Sequence, residues 1–276
     1  HHDYDSGFCD TDFNLDIPSY LSALKAFQAE YEGRIRINIG VELGLQDHLD
    51  GYLHDFVREH GSSFDFIIGS SHFVTGMDPY ELSYWEHYGE ERGLEEFFKV
   101  SLNRARNLYD VFDSFGHLDY IVRYAPHQNA SYSYERFSQW IDPILMVLIE
   151  HGKGLECNTG GLRYGLSQPN PSRRILKRYR ELGGEIITAE AYAGADTKDF
   201  KAQLTAIKES GAEGIFFPNE SAEIPLQIQQ ARELGLEMEL FGEMSWDNPL
   251  LPELAGAEVL EGTHFVSLFA VDSSDP

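Results

Sequence analysis

The chain has 276 residues and carries 46 Asp and Glu against 21 Lys and Arg, a formal net charge of −25. A hydrophobic content of 42% with 13% aromatics excludes a disordered acidic chain, and the acidity argues against nucleic acid or an anionic membrane surface as partner. No apolar run nears the roughly 20 residues of a bilayer span, the sequence as it opens reads as carrying no signal peptide, and Cys9 and Cys157 make no disulfide framework.

The chain opens His1-His2-Asp3 and reads as a fragment that begins inside a motif. From Ser19 to Glu32, the residues Tyr20, Leu21, Leu24, Phe27 and Tyr31 recur at helical spacing, and Gly33 closes the predicted helix. Ile35, Ile37, Ile39 and Val41 then alternate with period two, predicting a strand from Arg34 that ends on the carboxylate of Glu42. Phe64 to His72 is an apolar strand ending in a histidine. A helix is predicted over Gly93 to Leu108, and Val111 to Asp119 then brings His117 after an apolar stretch. A helix over Tyr134 to His151 precedes a short strand, Gly154 to Gly161, whose end carries Asn158 and two glycines. Strands and helices alternating at this pace imply parallel β/α units, and in a (β/α) barrel chemistry sits at the C-terminal strand ends.

The later part repeats the rhythm without the chemistry. A helix over Asp199 to Ser210 turns Phe200, Leu204 and Ile207 inward. A buried strand over Gly214 to Pro218, a helix over Ala222 to Leu234 and a strand over Glu237 to Phe241 follow. No histidine or cysteine marks these strand ends. Composition shifts as well: up to Thr188 the net charge is −12, whereas the shorter stretch Ala189 to Pro276 carries −13. Of the 15 tyrosines and 11 histidines, only Tyr192 and His264 lie there, so a domain boundary is expected between 1–188 and 189–276.

Glu42, His72 and His117 fall at three successive strand ends, and His1 opens the chain. Imidazole and carboxylate are the usual ligands of zinc, iron and manganese, although each residue alone also suits a hydrogen-bonded loop position. His48, His54, His60, His87, His127 and His151 lie in helical or polar stretches and read as surface residues.

The strings His1-His-Asp-Tyr-Asp5, Gly40-Val-Glu-Leu-Gly-Leu-Gln46, Ile68-Gly-Ser-Ser-His72, Gly76-Met-Asp-Pro79, Gly116-His-Leu-Asp-Tyr120, Asn158-Thr-Gly-Gly161 and Pro169-Asn-Pro171 resemble one family. They are similar to histidinol phosphatases of the polymerase-and-histidinol-phosphatase (PHP) superfamily, in that family's order, up to about Thr188. The resemblance implies a distorted (β/α) barrel, here incomplete, holding two or three divalent ions (Zn, Fe or Mn). It implies metal ligation by His1, Glu42, His72 and His117, with Glu42 bridging, and hydrolysis of L-histidinol phosphate in the cytoplasm. Arg123 and Arg163 look like phosphate-contacting arginines; the alternative for each is a solvated place on the barrel rim. Asp119 either orients such a contact or forms a surface salt bridge, and Cys157 reads as a buried strand residue. The family's opening His-x-His strand and closing Ser-Asp-Ala-His are absent from this sequence, so the ligand set, and with it the activity, is expected to be impaired.

Gly183-Gly-Glu-Ile-Ile-Thr-Ala-Glu-Ala-Tyr192, Asp199-Phe-Lys-Ala-Gln-Leu204, Gln230-Ala-Arg-Glu-Leu-Gly235 and Trp246-Asp247 resemble type I periplasmic binding proteins. The similarity is to branched-chain amino acid receptors of ABC transporters, which are extracytoplasmic, and implies a partial α/β lobe. Glu220 and Glu243 fall where that family approaches its ligand, with solvated loops as the favoured alternative. The two resemblances overlap at Gly183 to Thr188, where the chain is expected to pass from one parent to the other. The alternative function is therefore that of a substrate-binding segment.

Overall fold

The computed structural model describes residues 14–32, 37–158, 161, 164–184, 198–212, 214–217, 223–242, 246 and 248–265. The chain divides into two compact units, one of His1–Glu30 with Ile37–Glu185 and the other of Tyr31–Arg36 with Ile186–Pro276.

In the first unit, α1 (Ile17–Glu30) starts two residues earlier than periodicity predicts. Asp16 explains the shift, because its carboxylate accepts the Ser19 backbone N–H at 3.2 Å and the Ser19 hydroxyl at 3.0 Å, capping the first turn. Four strands follow: β1 (Gly40–Gly44), β2 (Phe66–Ser70), β3 (Ser114–Gly116) and β4 (Gly154–Leu155). All pair in parallel, and their order in the sheet is their order in the chain. The helices α2 (Asp50–His60), α3 (Leu82–Tyr88), α4 (Glu90–Asn107) and α5 (Tyr134–Glu150) lie between the strands in sequence, and α6 (Arg173–Glu181) comes after them.

Register is fixed at the start of the strands by two aspartates in equivalent places. Asp65, just before β2, accepts the Ile39 N–H at 2.7 Å, and Asp113, just before β3, accepts the Ile67 N–H at 2.8 Å. Each carboxylate satisfies a backbone donor at the start of the neighbouring strand, which sets Glu42 opposite Ile68 and Ile68 opposite Ser114. The opposite ends of β1, β2 and β3 are thereby held level.

Behind the sheet, α4 and α5 contribute Phe97, Phe98, Leu102, Ile141, Ile144, Leu145 and Leu148 to one buried cluster that also holds Leu43 and Phe115. Phe98 packs at 5.2 Å from Phe137 and 6.0 Å from Tyr132, at ring separations typical of favourable aromatic pairs. Gly116 ends β3 where no side chain fits. An added Cβ would stand 2.8 Å from Ile68 Cγ2 and 3.2 Å from Glu156 Oε2, and would collide with Ser70 Oγ. Gly116→Ala is expected to lower stability by about 1–3 kcal/mol, as overpacking does. A denaturant melt of the variant with an unchanged midpoint would contradict this.

The second unit is built on β5 (Gly214–Phe217), β6 (Glu239–Gly242) and β7 (Thr263–Phe265), again parallel and in chain order. Ile215, Phe217 and Leu240 join Phe200 and Leu204 of the segment leading into and through α7 (Lys201–Ser210). Ile228 and Ala231 of α8 (Ile224–Glu233) complete this cluster with Trp246 and with Leu251 and Ala255 of α9 (Leu251–Ala255). Pro225 sits in the first turn of α8, where its missing N–H leaves no helical bond unmade.

Candidate metal centre

The C-terminal halves of the first three strands and the residues just past them bring Glu42, His72 and His117 together. β1 continues two residues past Glu42, because Leu43 and Gly44 still pair with Gly69 and Ser70, so the carboxylate rises from within the strand rather than from its end. His72 follows β2 by two residues, and His117 follows β3 directly. Oε1 of Glu42 lies 3.1 Å from His72 Nε2 and 3.0 Å from His117 Nε2. One donor atom from each residue falls within 4.8 Å of the others. The rings of His72 and His117 stand 5.1 Å apart, and Tyr120 packs against both, at 5.9 and 5.1 Å. The Tyr120 hydroxyl donates to the His72 carbonyl at 2.8 Å, which holds the backbone of that loop.

Burial pushes the Glu42 carboxyl up, but hydrogen bonding and charge from His117 and His72 outweigh it and hold the group well below the usual carboxylate range. The carboxylate is therefore anionic across the physiological range. Two imidazole nitrogens and one carboxylate oxygen around a shared point are the donor chemistry of borderline divalent cations, so these three residues fit a divalent metal ion.

His117 adopts a left-handed backbone with φ of 59°. Such a conformation costs a non-glycine residue about 1–3 kcal/mol and persists where its surroundings enforce it. Beside the histidines, Arg123 ends a 3-10 turn, Tyr120–Arg123. Its Nε donates to Asn170 Oδ1 at 2.8 Å and its Nη2 to Asn158 Oδ1 at 2.9 Å. The guanidinium also lies over the rings of Tyr120 and Tyr164 at 6.0 and 5.1 Å.

Asn170 is in turn held by Asp119, to whose Oδ1 it donates at 2.8 Å. The other oxygen of Asp119 accepts the Ser172 N–H at 2.9 Å and the Tyr132 hydroxyl at 3.2 Å. Asp119 is only 1% exposed, so the surface salt bridge offered for it by the sequence is corrected to a buried hub. Burial raises its pKa, against the opposing pull of the bonds from Asn170, Ser172 and Tyr132. Cys157 also departs from expectation: it follows β4 rather than lying in it, and is half-buried. Its thiol is pushed up to about 11 by burial first and then by the charges of Glu156 and Asp119, so in the metal-free protein it is a protonated thiol at neutral pH.

His1, Arg163, Glu220 and Glu243 lie outside the described residues. The six histidines assigned to the surface are exposed or half-buried. Sequence reasoning passed over Glu156, which lies just past β4 and accepts the His117 backbone N–H at 2.9 Å. A lone acid in the apolar run Gly154-Leu-Glu-Cys157 was the available signal.

Comparison with known proteins follows the same division. Residues 164–276 match the periplasmic binding protein family model. The histidinol-phosphatase of Lactococcus lactis is 29% identical over 205 residues, covering 72% of this chain and 74% of that protein. A Clostridium acetobutylicum protein named "Probable histidinol-phosphatase" is 27% identical over 209 residues, covering 75% of this chain and 78% of its own. Among solved structures, the histidinol phosphate phosphatase of Lactococcus lactis complexed with zinc, L-histidinol and phosphate is similar with a TM-score of 0.59. It is 27% identical, with 76% of this chain and 80% of that chain covered. Residues 5–160, more than half of the chain, match the PHP domain model, and the chain belongs to the PHP domain family.

Proposed function

We propose that the first unit is a metal-dependent phosphomonoesterase acting on L-histidinol phosphate to give histidinol and phosphate. The observation that carries the reading is the convergence of Glu42 from within β1 with His72 and His117 just past the ends of β2 and β3, three consecutive parallel strands. These residues, with His1, would hold two or three ions of zinc, iron or manganese, Glu42 bridging. Bound divalent ions supply Lewis-acid charge to phosphoryl oxygens and lower the pKa of water toward neutrality.

The chain's own residues would do the positioning. Two donors of Arg123 are already fixed by Asn158 and Asn170, which holds the guanidinium plane; Nη1, which bonds to no described residue, would face phosphate oxygens. Arg163 would be the second phosphate contact. The test is phosphate release from L-histidinol phosphate by the zinc- or manganese-loaded protein, stopped by a chelator. Metal-replete protein that releases no phosphate would sink the reading.

The match of residues 164–276 to a periplasmic binding protein supports a second, separate reading for the second unit. It would be a lobe that binds a branched-chain amino acid, with Glu220 and Glu243 near the ligand. Leucine, isoleucine or valine at about 100 times the dissociation constant is then expected to stabilise the protein by about 2.7 kcal/mol. A melting temperature indifferent to all three amino acids at millimolar concentration would remove this reading.

A further inference from the structure

We infer that Glu156 is a positioning residue for the metal centre: its carboxylate holds the proton of His117 on Nδ1 and so leaves Nε2 as the metal-binding nitrogen. The inference rests on the proposed metal-site reading, but concerns a residue outside the ligand set.

An imidazole offers a lone pair on one ring nitrogen only when the other carries the proton, and the partner of that other nitrogen decides which. His117 Nε2 faces Glu42 at 3.0 Å, on the side of the converging donors. Its Nδ1 is buried and makes no hydrogen bond among the described residues, while Oε2 of Glu156 stands 3.5 Å away. A buried ring nitrogen without a partner is unfavourable. A small rotation of the ring toward Oε2 satisfies it, and catalytic hydrogen bonds commonly tighten in this way when a site is loaded.

Several features hold the carboxylate where it is needed. Oε2 accepts the His117 backbone N–H at 2.9 Å, pinning the left-handed φ of 59°. Oε1 accepts from Asn158 Nδ2 at 3.3 Å. Gly116 leaves the approach open, since a Cβ there would come within 3.2 Å of Oε2. A carboxylate behind a metal-binding histidine fixes its tautomer and raises its basicity.

A purely structural role, capping the His117 N–H, predicts different behaviour from Glu156→Gln. Glutamine keeps an oxygen in the place of Oε2, facing both the backbone N–H and Nδ1, but removes the negative charge. The cap is then retained while the charge that raises the basicity of the metal-binding nitrogen is lost. The test is titration of the metal-free protein with zinc against a chromogenic chelator, without substrate, together with 15N NMR of the His117 ring in the zinc-loaded protein. The expected results are zinc on Nε2 with the proton on Nδ1 in the loaded parent, and zinc affinity lower by about 10–100-fold in Glu156→Gln. Unchanged zinc affinity in a folded Glu156→Gln, or zinc on Nδ1 in the loaded parent, overturns the inference. Should Glu156→Gln fail to fold, the nitrogen that binds zinc in the parent decides alone. Zinc binding by the parent without hydrolysis of histidinol phosphate would remove the proposed substrate and leave the role of Glu156 standing.

Discussion

Glu42→Gln is expected to strip the protein of its metal and to reduce phosphate release by about 100-fold or more, the upper end of what even indirect partners of a ligand are worth. The size of the effect follows from the sharing of one oxygen. Both Nε2 atoms, of His72 and of His117, face Oε1 of Glu42, so the carboxylate is the only negative charge among the three donors. Glutamine removes that charge and presents an amide NH2 that competes for an imidazole lone pair. Folding is expected to be little affected, because β1 is held by its backbone pairing with β2 and by Leu43 in the core. Metal content by elemental analysis and phosphate release on the same sample check this. A variant that keeps its full metal content would show that Glu42 is not a ligand.

Asp119→Ala is expected to destabilise the first unit by about 3 kcal/mol or more, because three buried neutral donors lose their acceptor. Alanine leaves the Asn170 amide, the Ser172 N–H and the Tyr132 hydroxyl without their acceptor, and each unmet buried donor is unfavourable by about 1–3 kcal/mol. Asp119→Asn keeps the shape yet offers one acceptor oxygen where three donors converge, so it too is expected to lose stability. Because Asn170 also holds Nε of Arg123, the same variants are expected to raise KM for the phosphate ester more than they lower kcat. Urea unfolding gives the first quantity and steady-state kinetics the second. A loss below about 1 kcal/mol would mean that water replaces the carboxylate, and that the hub is not closed.

The elements with a regular apolar period were legible in the sequence. The amphipathic stretches of α4 and α5 and the apolar runs of β2, β5 and β6 lie within a few residues of their predicted places. The strand predicted from Arg34 to Glu42, by contrast, begins only at Gly40, with residues 37–39 outside it and 33–36 outside the described residues. Three of the four predicted ligands fall among the described residues, and they meet. Their meeting depended on level strand ends, which Asp65 and Asp113 secure through bonds to Ile39 and Ile67 that no local pattern reveals. The predicted strand over Val111 to Asp119 shrank to Ser114–Gly116, since its first part is a 3-10 turn, Tyr109–Val111, and Asp113 is engaged with Ile67. The chain Asp119–Asn170–Arg123–Asn158 was hidden for another reason. Its partners lie 35 to 51 residues apart, and their pairing is decided by tertiary packing rather than by period.

The backbone of His117 sets folding and function against each other at a single position. Only glycine enters the left-handed region freely, so a sequence selected for stability alone would favour glycine there, and any L residue with a side chain retains part of the strain. No residue that relaxes the backbone brings an imidazole with it. Random mutagenesis screened for thermal resistance should therefore enrich His117→Gly among inactive survivors, whereas selection for turnover should hold the histidine fixed and recruit its gains in stability elsewhere.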